Sequence, residues 1–444
     1  MIIIFSFYFM DFYLILKPEI MKKFPCSGSD VLIFILVIVY SLVFNAGNKA
    51  FSQVNLKDST TTPYCVPQMD AEDYLYMILK KPVPVKCDTD MNHSLGPFLS
   101  PFPYPGYALV TGYLVGFATN ISFYTYHSDS AKISSLLFDN AYTQLHQLFS
   151  ILNSNIFTKQ ETFNFLGDWR FYQFPTTTYG LGSKTTFADA TSVDYNYLRF
   201  YEAAMRAVNN NFFAGIGYNI DYHYNIKEIK VPGADETDIE KYTFVNGNNT
   251  IGNKTLSSGV SINLQYDSRL NSNNPKGGAY ANLKIRDNII ALGSNSNWQS
   301  LLLDARKYFL TNKNSGNVLA FWNYDWLTLG GKPPYFDLPT IGSDAYDNTG
   351  RAYVEGRFKG LNMLYNEVEY RFRILNNGLL GGVVFINASA FTNYPSNKFD
   401  KVNPGYGLGL RIKLNKSSDT NLCFDYAIGT GGSSGFAFNL NEVF

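Results

Sequence analysis

Residues 366–374 read NEVEYRFRI, and charged side chains alternate with apolar ones along this stretch. A period of two predicts a β-strand that presents the two sets of side chains on opposite faces. An arginine facing hydrocarbon near the middle of a bilayer costs roughly 2–4 kcal/mol, so a membrane strand must turn its charges toward a wet interior. The charged set is Glu367, Glu369, Arg371 and Arg373, and the opposite set is Val368, Tyr370, Phe372 and Ile374.

The same alternation continues from about residue 96 to residue 444, with clean examples at 212–227, 259–269 and 406–415. Clusters of Gly, Asn, Ser, Asp or Pro separate sixteen such segments, and an even number of strands suits a closed antiparallel barrel without a free edge. The expected strand starts are residues 97, 109, 132, 144, 161, 193, 211, 257, 278, 298, 317, 358, 379, 405, 421 and 435.

Two all-β architectures fit an alternating pattern. A soluble sandwich or barrel turns its apolar face inward, whereas a transmembrane barrel turns it toward lipid. Long strands, rows of Tyr and Phe suited to membrane interfaces, and a polar face rich in Gly, Asn and paired charges favour the membrane barrel. The sequence therefore predicts a 16-stranded antiparallel transmembrane β-barrel over residues 96–444, preceded by a short N-terminal periplasmic extension.

Composition narrows the functional classes. The 444 residues carry no net charge and no strongly basic block, which argues against nucleic acid as a partner and leaves lipid open. Tyr (33) and Phe (36) are abundant, while charged residues make up only 16%. After residue 52 no apolar run is long enough to span a bilayer as a helix, so a helical membrane bundle is excluded.

The first 52 residues are typical of targeting. Basic residues follow Met21, an apolar run occupies 31–44, and small residues precede a cleavage site near Ser52. Met1 and Met21 both remain possible starts. Residues 53–95 then form the short periplasmic extension, where Cys65 and Cys87 could form a disulfide in an oxidising compartment. We expect export to the outer membrane of a Gram-negative bacterium.

The connector 329–357, followed by the charged strand, resembles the BamA/TamA superfamily of outer-membrane barrels, also called the bacterial surface-antigen family. It reads LGGKPPYFDLPTIGSDAYDNTGRAYVEGRF over 329–358 and lies between the eleventh and twelfth expected strands. The stretch 167–182 and the terminal Phe444 also resemble the family. The resemblance implies that this connector folds into the lumen.

The resemblance also implies residue roles. Arg351 corresponds to the family's loop arginine and Tyr353 to its aromatic neighbour. Glu369 is the preferred partner of Arg351, Glu367 is the next, and Arg371 lies on the same lumenal face. A guanidinium and a carboxylate in a partly dehydrated lumen form a short, bidentate ion pair, which would hold the loop down. An ordinary extracellular loop with a solvated arginine is the alternative.

Two positions depart from the family pattern. Ala352 stands where the motif has glycine, and Asn387 stands where an acid is often found on the thirteenth strand. Asparagine accepts a hydrogen bond but does not balance a charge, so the arginine lock is expected to be weaker or to depend on the twelfth strand alone. The extension 53–95 is also too short for one periplasmic POTRA module, and no patatin-like phospholipase domain is evident.

The resemblance favours an insertase or translocase that works through a seam between the first and last strands. Pro101 and Pro103 lie in the first expected strand, and proline cannot donate a ladder hydrogen bond. Whether the prolines lie within that strand or precede it is left open. On the other side of the seam we place Phe436, Phe438 and Phe444.

Two other functions compete with this one. The first is a passive or plugged pore, or a scaffold for a periplasmic or surface partner; the second is an outer-membrane hydrolase. No G-x-S-x-G motif is present, and the four histidines lack metal-ligand spacing, so we expect no enzyme activity, metal or cofactor. The expected partners are outer-membrane lipid, client outer-membrane proteins and a separate periplasmic protein.

Overall fold

The computed structural model describes residues 67–83, 94–108, 112–173, 175–228, 237–245, 253–312 and 316–444. In this part of the chain, one sheet contains seventeen antiparallel strands. None of the helices there is long and apolar enough to cross a bilayer. The two α-helices are α1 (Ala71–Ile78) and α2 (Asp238–Val245). The strands are β1 (Phe98–Ala108), β2 (Gly112–Phe123), β3 (Ser134–Thr143), β4 (Leu148–Phe157), β5 (Phe163–Gln173), β6 (Thr176–Thr178), β7 (Thr191–Asn209), β8 (Phe212–Glu228), β9 (Lys254–Asp267), β10 (Gly278–Asn288), β11 (Trp298–Asn312), β12 (Asn317–Gly331), β13 (Asn362–Arg373), β14 (Leu380–Phe391), β15 (Asn403–Asn415), β16 (Thr420–Gly429) and β17 (Ser434–Leu440).

Among the described strands, each strand pairs with the next one in the chain, except that β5 does not pair with the three-residue strand β6. β5 and β6 both pair with β7, β5 along Asn196–Arg206 and β6 along Thr191–Val193. Pro175 lies between β5 and β6 and has no N–H to donate, so the hydrogen-bonded ladder with β7 is interrupted there. Setting β6 aside leaves sixteen long strands, each starting within four residues of its expected position. The predicted all-β antiparallel barrel fold is confirmed.

Burial along the strands is inverted relative to a soluble protein. On β14, Ile386 is 57% exposed whereas its neighbour Asn387 is 2% exposed, and on β15 Leu408 is 62% exposed whereas Arg411 is 4% exposed. Apolar side chains therefore cover the outside, and polar side chains fill the interior. This is the arrangement of a barrel whose outer face meets lipid.

Side-chain hydrogen bonds join the first part of the sheet to the last part. Asn120 on β2 donates to Thr420 at the start of β16 (3.0 Å) and to Asn441, just after β17 (3.1 Å). These contacts join β2 to the residues at the other end of the sheet. Among the described residues no backbone ladder joins β1 to β17.

The segment that precedes the barrel docks on it through buried charges. Asp70 and Asp73 cap α1 reciprocally, and Asp70 Oδ2 also accepts from the backbone N–H of Lys416, at 2.7 Å. The Lys416 ammonium donates to Asp73 at 2.5 Å, so α1 is held against the β15–β16 turn. The signal segment 1–52, Cys65 and Cys87 lie outside the described residues. The division at residues 52 and 95 stays a prediction.

Replacing Ile386 with arginine tests the outward face. Ile386 lies near the middle of β14, so we expect the substitution to lower the free energy of unfolding in liposomes by about 2–4 kcal/mol. Guanidinium titration measures the loss, and Ile386→Leu is the control that keeps the position apolar. Equal stability of the two variants would contradict the outward orientation.

Candidate functional site

The connector between β12 and β13 spans residues 332–361, and many of its side chains are buried. It joins the eleventh and twelfth long strands, as expected, although residues 329–331 belong to β12 rather than to the loop. Ile341, Ala352 and Phe358 in this loop are at most 1% exposed. The loop therefore contributes side chains to a buried core that it shares with strand residues.

Arg351 lies at the centre of a cluster of acids on the lumenal wall. Its side chain is 1% exposed, and its Nη2 donates to Glu367 and, at 2.6 Å, to Glu369. Its Nη1 donates to Asp425 on β16 at 2.6 Å. The guanidinium carbon also lies 3.5 Å from the centre of the Phe385 ring. Charge-assisted hydrogen bonds to three carboxylates and a ring contact thus bind the loop to β13, β14 and β16.

The ion-pair network continues beyond the residues that the sequence singles out. Arg411 on β15 donates to Asp425 at 2.6 Å and to Glu442 at 2.8 Å, while Arg371 donates to Glu369. Strand periodicity places Arg411 and Asp425 on the lumenal face. It gives no signal that Asp425 meets an arginine 74 residues away, because that contact depends on barrel curvature.

The two departures from the family motif have structural counterparts. Ala352 is buried, and a Cβ added to Gly405 on β15 would lie 2.8 Å from the Ala352 methyl group, so Gly405 leaves the space that Ala352 fills. Asn387 donates to Glu367 at 3.2 Å instead of supplying a charge. Asp425 provides a third carboxylate for Arg351. The Tyr353 hydroxyl donates to the carbonyl of Pro404 at 2.5 Å, and this hydrogen bond anchors the aromatic residue of the motif.

A second anchor holds the loop on the opposite wall. Arg170 on β5 is 3% exposed, and it donates to Asp347 in the loop at 2.5 Å and to the carbonyl of Asp344 at 2.6 Å. Asn153 on β4 donates to the carbonyl of Ala345 at 2.7 Å. One end of the loop's buried segment is therefore fixed to β4 and β5, and the other is fixed to β13 and β16.

His223 on β8 packs against the start of the loop. Its ring is stacked on Tyr197 at 4.2 Å between centroids and on Phe336 of the loop at 5.2 Å. His223 Nδ1 lies 3.5 Å from Asp337 Oδ1. Burial raises the pKa of Asp337 to about 7, and the nearby carboxylate of Asp221 acts in the same direction. His223 is thus a buried packing residue rather than a solvated one.

The seam-facing edge of β17 carries a regular row of backbone groups. The Asn441 N–H donates to Asn421 O, and the Gly429 N–H donates to Ser433 O, both at 2.8 Å. In an antiparallel ladder the bonded residues alternate, so the odd-numbered residues of β17 bond to β16. The N–H and C=O groups that point toward the seam belong to Ser434, Phe436, Phe438 and Leu440.

The seam-facing edge of β1 lacks most of its donors. The Gln144 N–H donates to Tyr113 O, so the odd-numbered residues of β2 bond to β3 and its even-numbered residues bond to β1. Pro101, Pro103 and Pro105 are opposite odd-numbered residues of β2 and therefore direct their ring nitrogens away from it, toward the seam. The prolines thus lie within β1 and leave three successive positions on this edge without an N–H.

The aromatic residues assigned to the seam occupy two different places. Phe436 and Phe438 are both 42% exposed on the outer face of β17. Phe444 lies beyond the strand and is 2% exposed, because the chain end turns inward and its ring stacks on Trp322 at 5.1 Å. Arg371 donates to the carbonyl oxygen of Phe444 at 2.8 Å. Phe444 therefore packs in the lumen, near the acid cluster.

The Omp85 superfamily domain model matches residues 135–444, which contain the loop, the acid cluster and β17. No curated protein matches the chain. Among solved structures, BamA from Haemophilus ducreyi lacking POTRA domains 1–3 is 15% identical, with 80% of this chain and 70% of that chain covered and a TM-score of 0.47. CdiB from Acinetobacter baumannii is 13% identical (81% and 61% covered, TM-score 0.47), and CdiB from Escherichia coli is 9% identical (77% and 60% covered, TM-score 0.45).

Replacing Arg351 with alanine leaves three buried carboxylates without their shared cation. We expect a loss of about 3–5 kcal/mol in the free energy of unfolding, because removing one partner of a buried ion pair leaves uncompensated charge. We also expect faster protease cleavage of the 332–361 loop. Arg351→Lys keeps the positive charge but not the planar guanidinium that bonds to several carboxylates, so we expect an intermediate loss in the free energy of unfolding. An alanine variant as stable and as protected as the unmodified protein would refute the arginine anchor.

Arg170 and Asp347 test the second anchor through a double-mutant cycle. We expect a coupling free energy of about 1–3 kcal/mol between Arg170→Met and Asp347→Asn, since the hydrogen bond is charged and largely buried. The control is the exposed pair Lys184 and Asp400, for which Lys184→Met with Asp400→Asn should couple much more weakly, because solvent screens an exposed ion pair. Equal coupling in the two pairs would show that the loop is not fastened to β5.

Proposed function

This chain belongs to the Omp85 superfamily of outer-membrane barrels, and we propose that it inserts or exports proteins at the outer membrane through the seam between β1 and β17. Members of this superfamily are insertases and transporters rather than enzymes. The proposed clients are outer-membrane or exported proteins that meet the barrel from its periplasmic side.

The single observation that carries the proposal is the proline row on the seam-facing edge of β1. Backbone polar groups in a bilayer have no water to bond to, so a barrel is stable when its edges are fully paired. β1 has no N–H at residues 101, 103 and 105, and β17 cannot form a complete ladder with it there. The seam is therefore the least strongly bonded boundary of the barrel, which is the property that lateral passage of a polypeptide requires.

The loop between β12 and β13 supports the same proposal, because it obstructs the other possible route, a pore along the barrel axis. Its residues 344–358 extend from Arg170 on one wall to the acid cluster on the other, so they obstruct a path along the barrel axis. A client that leaves through the seam does not need an open axial pore. We propose that Arg351 and its three carboxylates keep the loop in place while the seam opens.

A scaffold for a periplasmic partner is the second candidate function. The observation that favours it is α1, which is fixed to the β15–β16 turn through Asp70 and Asp73 while Ile78 is 75% exposed and Leu79 45% exposed. Such a fixed helix presents apolar side chains beside the barrel. If the chain is such a scaffold, we expect that closing the seam leaves client insertion unaffected. The seam-closure experiment therefore separates the two functions.

Chemical closure of the seam tests the proposed function. Leu99 on β1 and Phe438 on β17 are 58% and 42% exposed, and both can be replaced with cysteine and treated with a bismaleimide. We expect the cross-linked barrel in liposomes to lose at least about tenfold in the rate of client-barrel assembly, because the strands can no longer separate.

The matched control joins Ile262→Cys to Ile285→Cys, which are outward-facing neighbours on the fully paired strands β9 and β10. This cross-link crosses no seam and should leave the assembly rate unchanged. If the seam-closed protein assembles clients as fast as this control, the seam is not the route, and the scaffold function takes its place.

A further inference from the structure

Three polar side chains interrupt the apolar outer face of the wall. Asn323 and Asp325 lie on β12, and Asn366 lies on β13. Successive residues of a strand point to opposite faces of the sheet. Tyr324, between the first two, and Tyr365, beside the third, are buried on the inner face. Asn323, Asp325 and Asn366 therefore point outward, and we call them the outer polar patch.

The outer polar patch lies in the middle of its strands and not at their ends. Asn323 is the seventh of the fifteen residues of β12, and Asn366 is the fifth of the twelve residues of β13. The outward residues before and after the patch are apolar, namely Phe321 and Leu327 on β12 and Leu364 and Val368 on β13. A carboxylate and amides that face hydrocarbon are costly unless a partner bonds to them, so a polar group at this depth indicates a binding surface.

Within one chain the patch uses only part of its hydrogen-bonding capacity. Asn323 Nδ2 donates to Asn366 Oδ1 at 3.2 Å and to the carbonyl of Tyr365 at 3.4 Å. The backbone N–H of Tyr365 donates to Asp325 Oδ1 at 3.4 Å. Among the described residues, Asn366 Nδ2, Asn323 Oδ1 and Asp325 Oδ2 have no hydrogen-bond partner. The patch therefore presents an unused donor on β13 and unused acceptors on β12.

Small side chains flank the patch and leave room for a close neighbour. Asn323 is paired with Ala305 on β11 and with Asn366 on β13, and Asn366 is paired with Ala388 on β14. One row across four strands thus carries two asparagines between two alanines. Small residues at interfaces within a membrane let two backbones approach closely, and amide side chains form hydrogen bonds across such interfaces.

We propose that the outer polar patch binds a second copy of this chain. A two-fold interface brings the same surface of both copies together, so that surface must contain donors and acceptors that match each other. With the two-fold axis along the membrane normal between β12 and β13, Asn366 of each copy lies opposite β12 of the other. Its Nδ2 then donates to Asn323 Oδ1 or Asp325 Oδ2 of that copy, and the bond occurs twice.

The unused groups of the patch favour a second copy over lipid. Acyl chains have no hydrogen-bonding groups, so a lipid neighbour leaves the donor and both acceptors unsatisfied. A second copy supplies the matching groups through symmetry, without a separately matched partner. This inference goes beyond the proposed function, since β12 and β13 are not the strands at the seam.

Photochemical cross-linking of the full chain in phospholipid liposomes tests the interface. One protein carries benzoylphenylalanine in place of Phe321, which is 39% exposed on β12 beside the patch. The matched control carries it in place of Phe165 on β5, which is 38% exposed. At a low ratio of protein to lipid, we expect at least about tenfold more covalent dimer at position 321 than at position 165. Equal yields at the two positions, or no dimer at position 321, would overturn the proposal.

Replacing Asn366 with leucine tests whether its amide is the donor. Asn366→Leu removes the donor and leaves an apolar side chain of similar size, so two symmetric hydrogen bonds are lost at once. We expect the dimer yield at position 321 to fall about five- to thirtyfold. Val368→Ile changes only apolar surface on the same strand, and we expect its yield to stay within about twofold. Equal yields from the two variants would contradict the proposed pairing.

Mixing two variants separates pairing from folding. Asn366→Leu lacks the donor, and the double variant Asn323→Leu with Asp325→Leu lacks the acceptors, so neither bonds to its own kind. Together they restore the hydrogen bond in one of the two directions. With differently tagged copies, we expect at least about threefold more mixed dimer than dimer of either variant alone. A variant that had merely misfolded would show no such recovery, and its absence in folded variants would overturn the proposal.

Two further measurements complete the test. Circular dichroism and the heat-dependent gel shift of a folded barrel confirm that each variant has folded. In native outer membranes, a cross-link from position 321 to a different protein, without a dimer of the chain, would assign the patch to that partner and overturn the proposal. A dimer that persists after seam closure has stopped client assembly would show that the two surfaces act independently, which is the result we expect.

Discussion

Ionised side chains are too costly to leave in hydrocarbon, and this constraint organises the whole barrel. Each strand of the wall has two faces, and the charges of β13 can occupy only the lumenal one. Once inside, they are largely removed from bulk water and need partners of opposite charge. Arg351 satisfies this need by entering from a loop and bonding to Glu367, Glu369 and Asp425 at once. The loop is thus bound to β13 and β16 by charges that are costly to place on the outer face.

The same loop links the two flanks of the seam. β5, which holds Asp347 through Arg170, belongs to the first part of the wall, while β13 and β16 belong to the last. The loop therefore connects strands on either side of the β1–β17 boundary across the lumen. Both anchors are buried ion pairs, and each is strong only while both of its partners are present.

The ends of the sheet are unequal in a way that side-chain burial does not reveal. Leu99 on β1 and Phe438 on β17 are both outward-facing and half exposed, so the two strands look alike by their apolar faces. Their backbones differ, because the prolines of β1 all fall on the positions that point toward the seam. An even spacing of two residues gives the prolines this common direction, and a shift of one would have placed them in the ladder with β2.

Much of the fold follows from the sequence alone. Alternation of side chains along residues 96–444 is sufficient to assign the strands, their inward and outward faces and the long loop, because period two is a local property of an extended chain. β6 escapes detection since three threonines after Pro175 show no alternation. The family resemblance carried by the loop predicts that Arg351 pairs with acids of the following strand, and Arg351 lies against Glu367 and Glu369 of β13 in the structure.

Tertiary structure decided what depends on curvature and register. The sequence places Asp425 and Arg170 on lumenal faces, but only the closed wall brings Asp425 to Arg351, and only the path of the loop brings Asp347 to Arg170. Likewise, prolines can be counted in the sequence, whereas the edge toward which they point depends on which residues of β2 bond to β3. Alternation along one strand is set by neighbouring residues, while contacts across a barrel are set by strands far apart in the chain, and no local pattern encodes them.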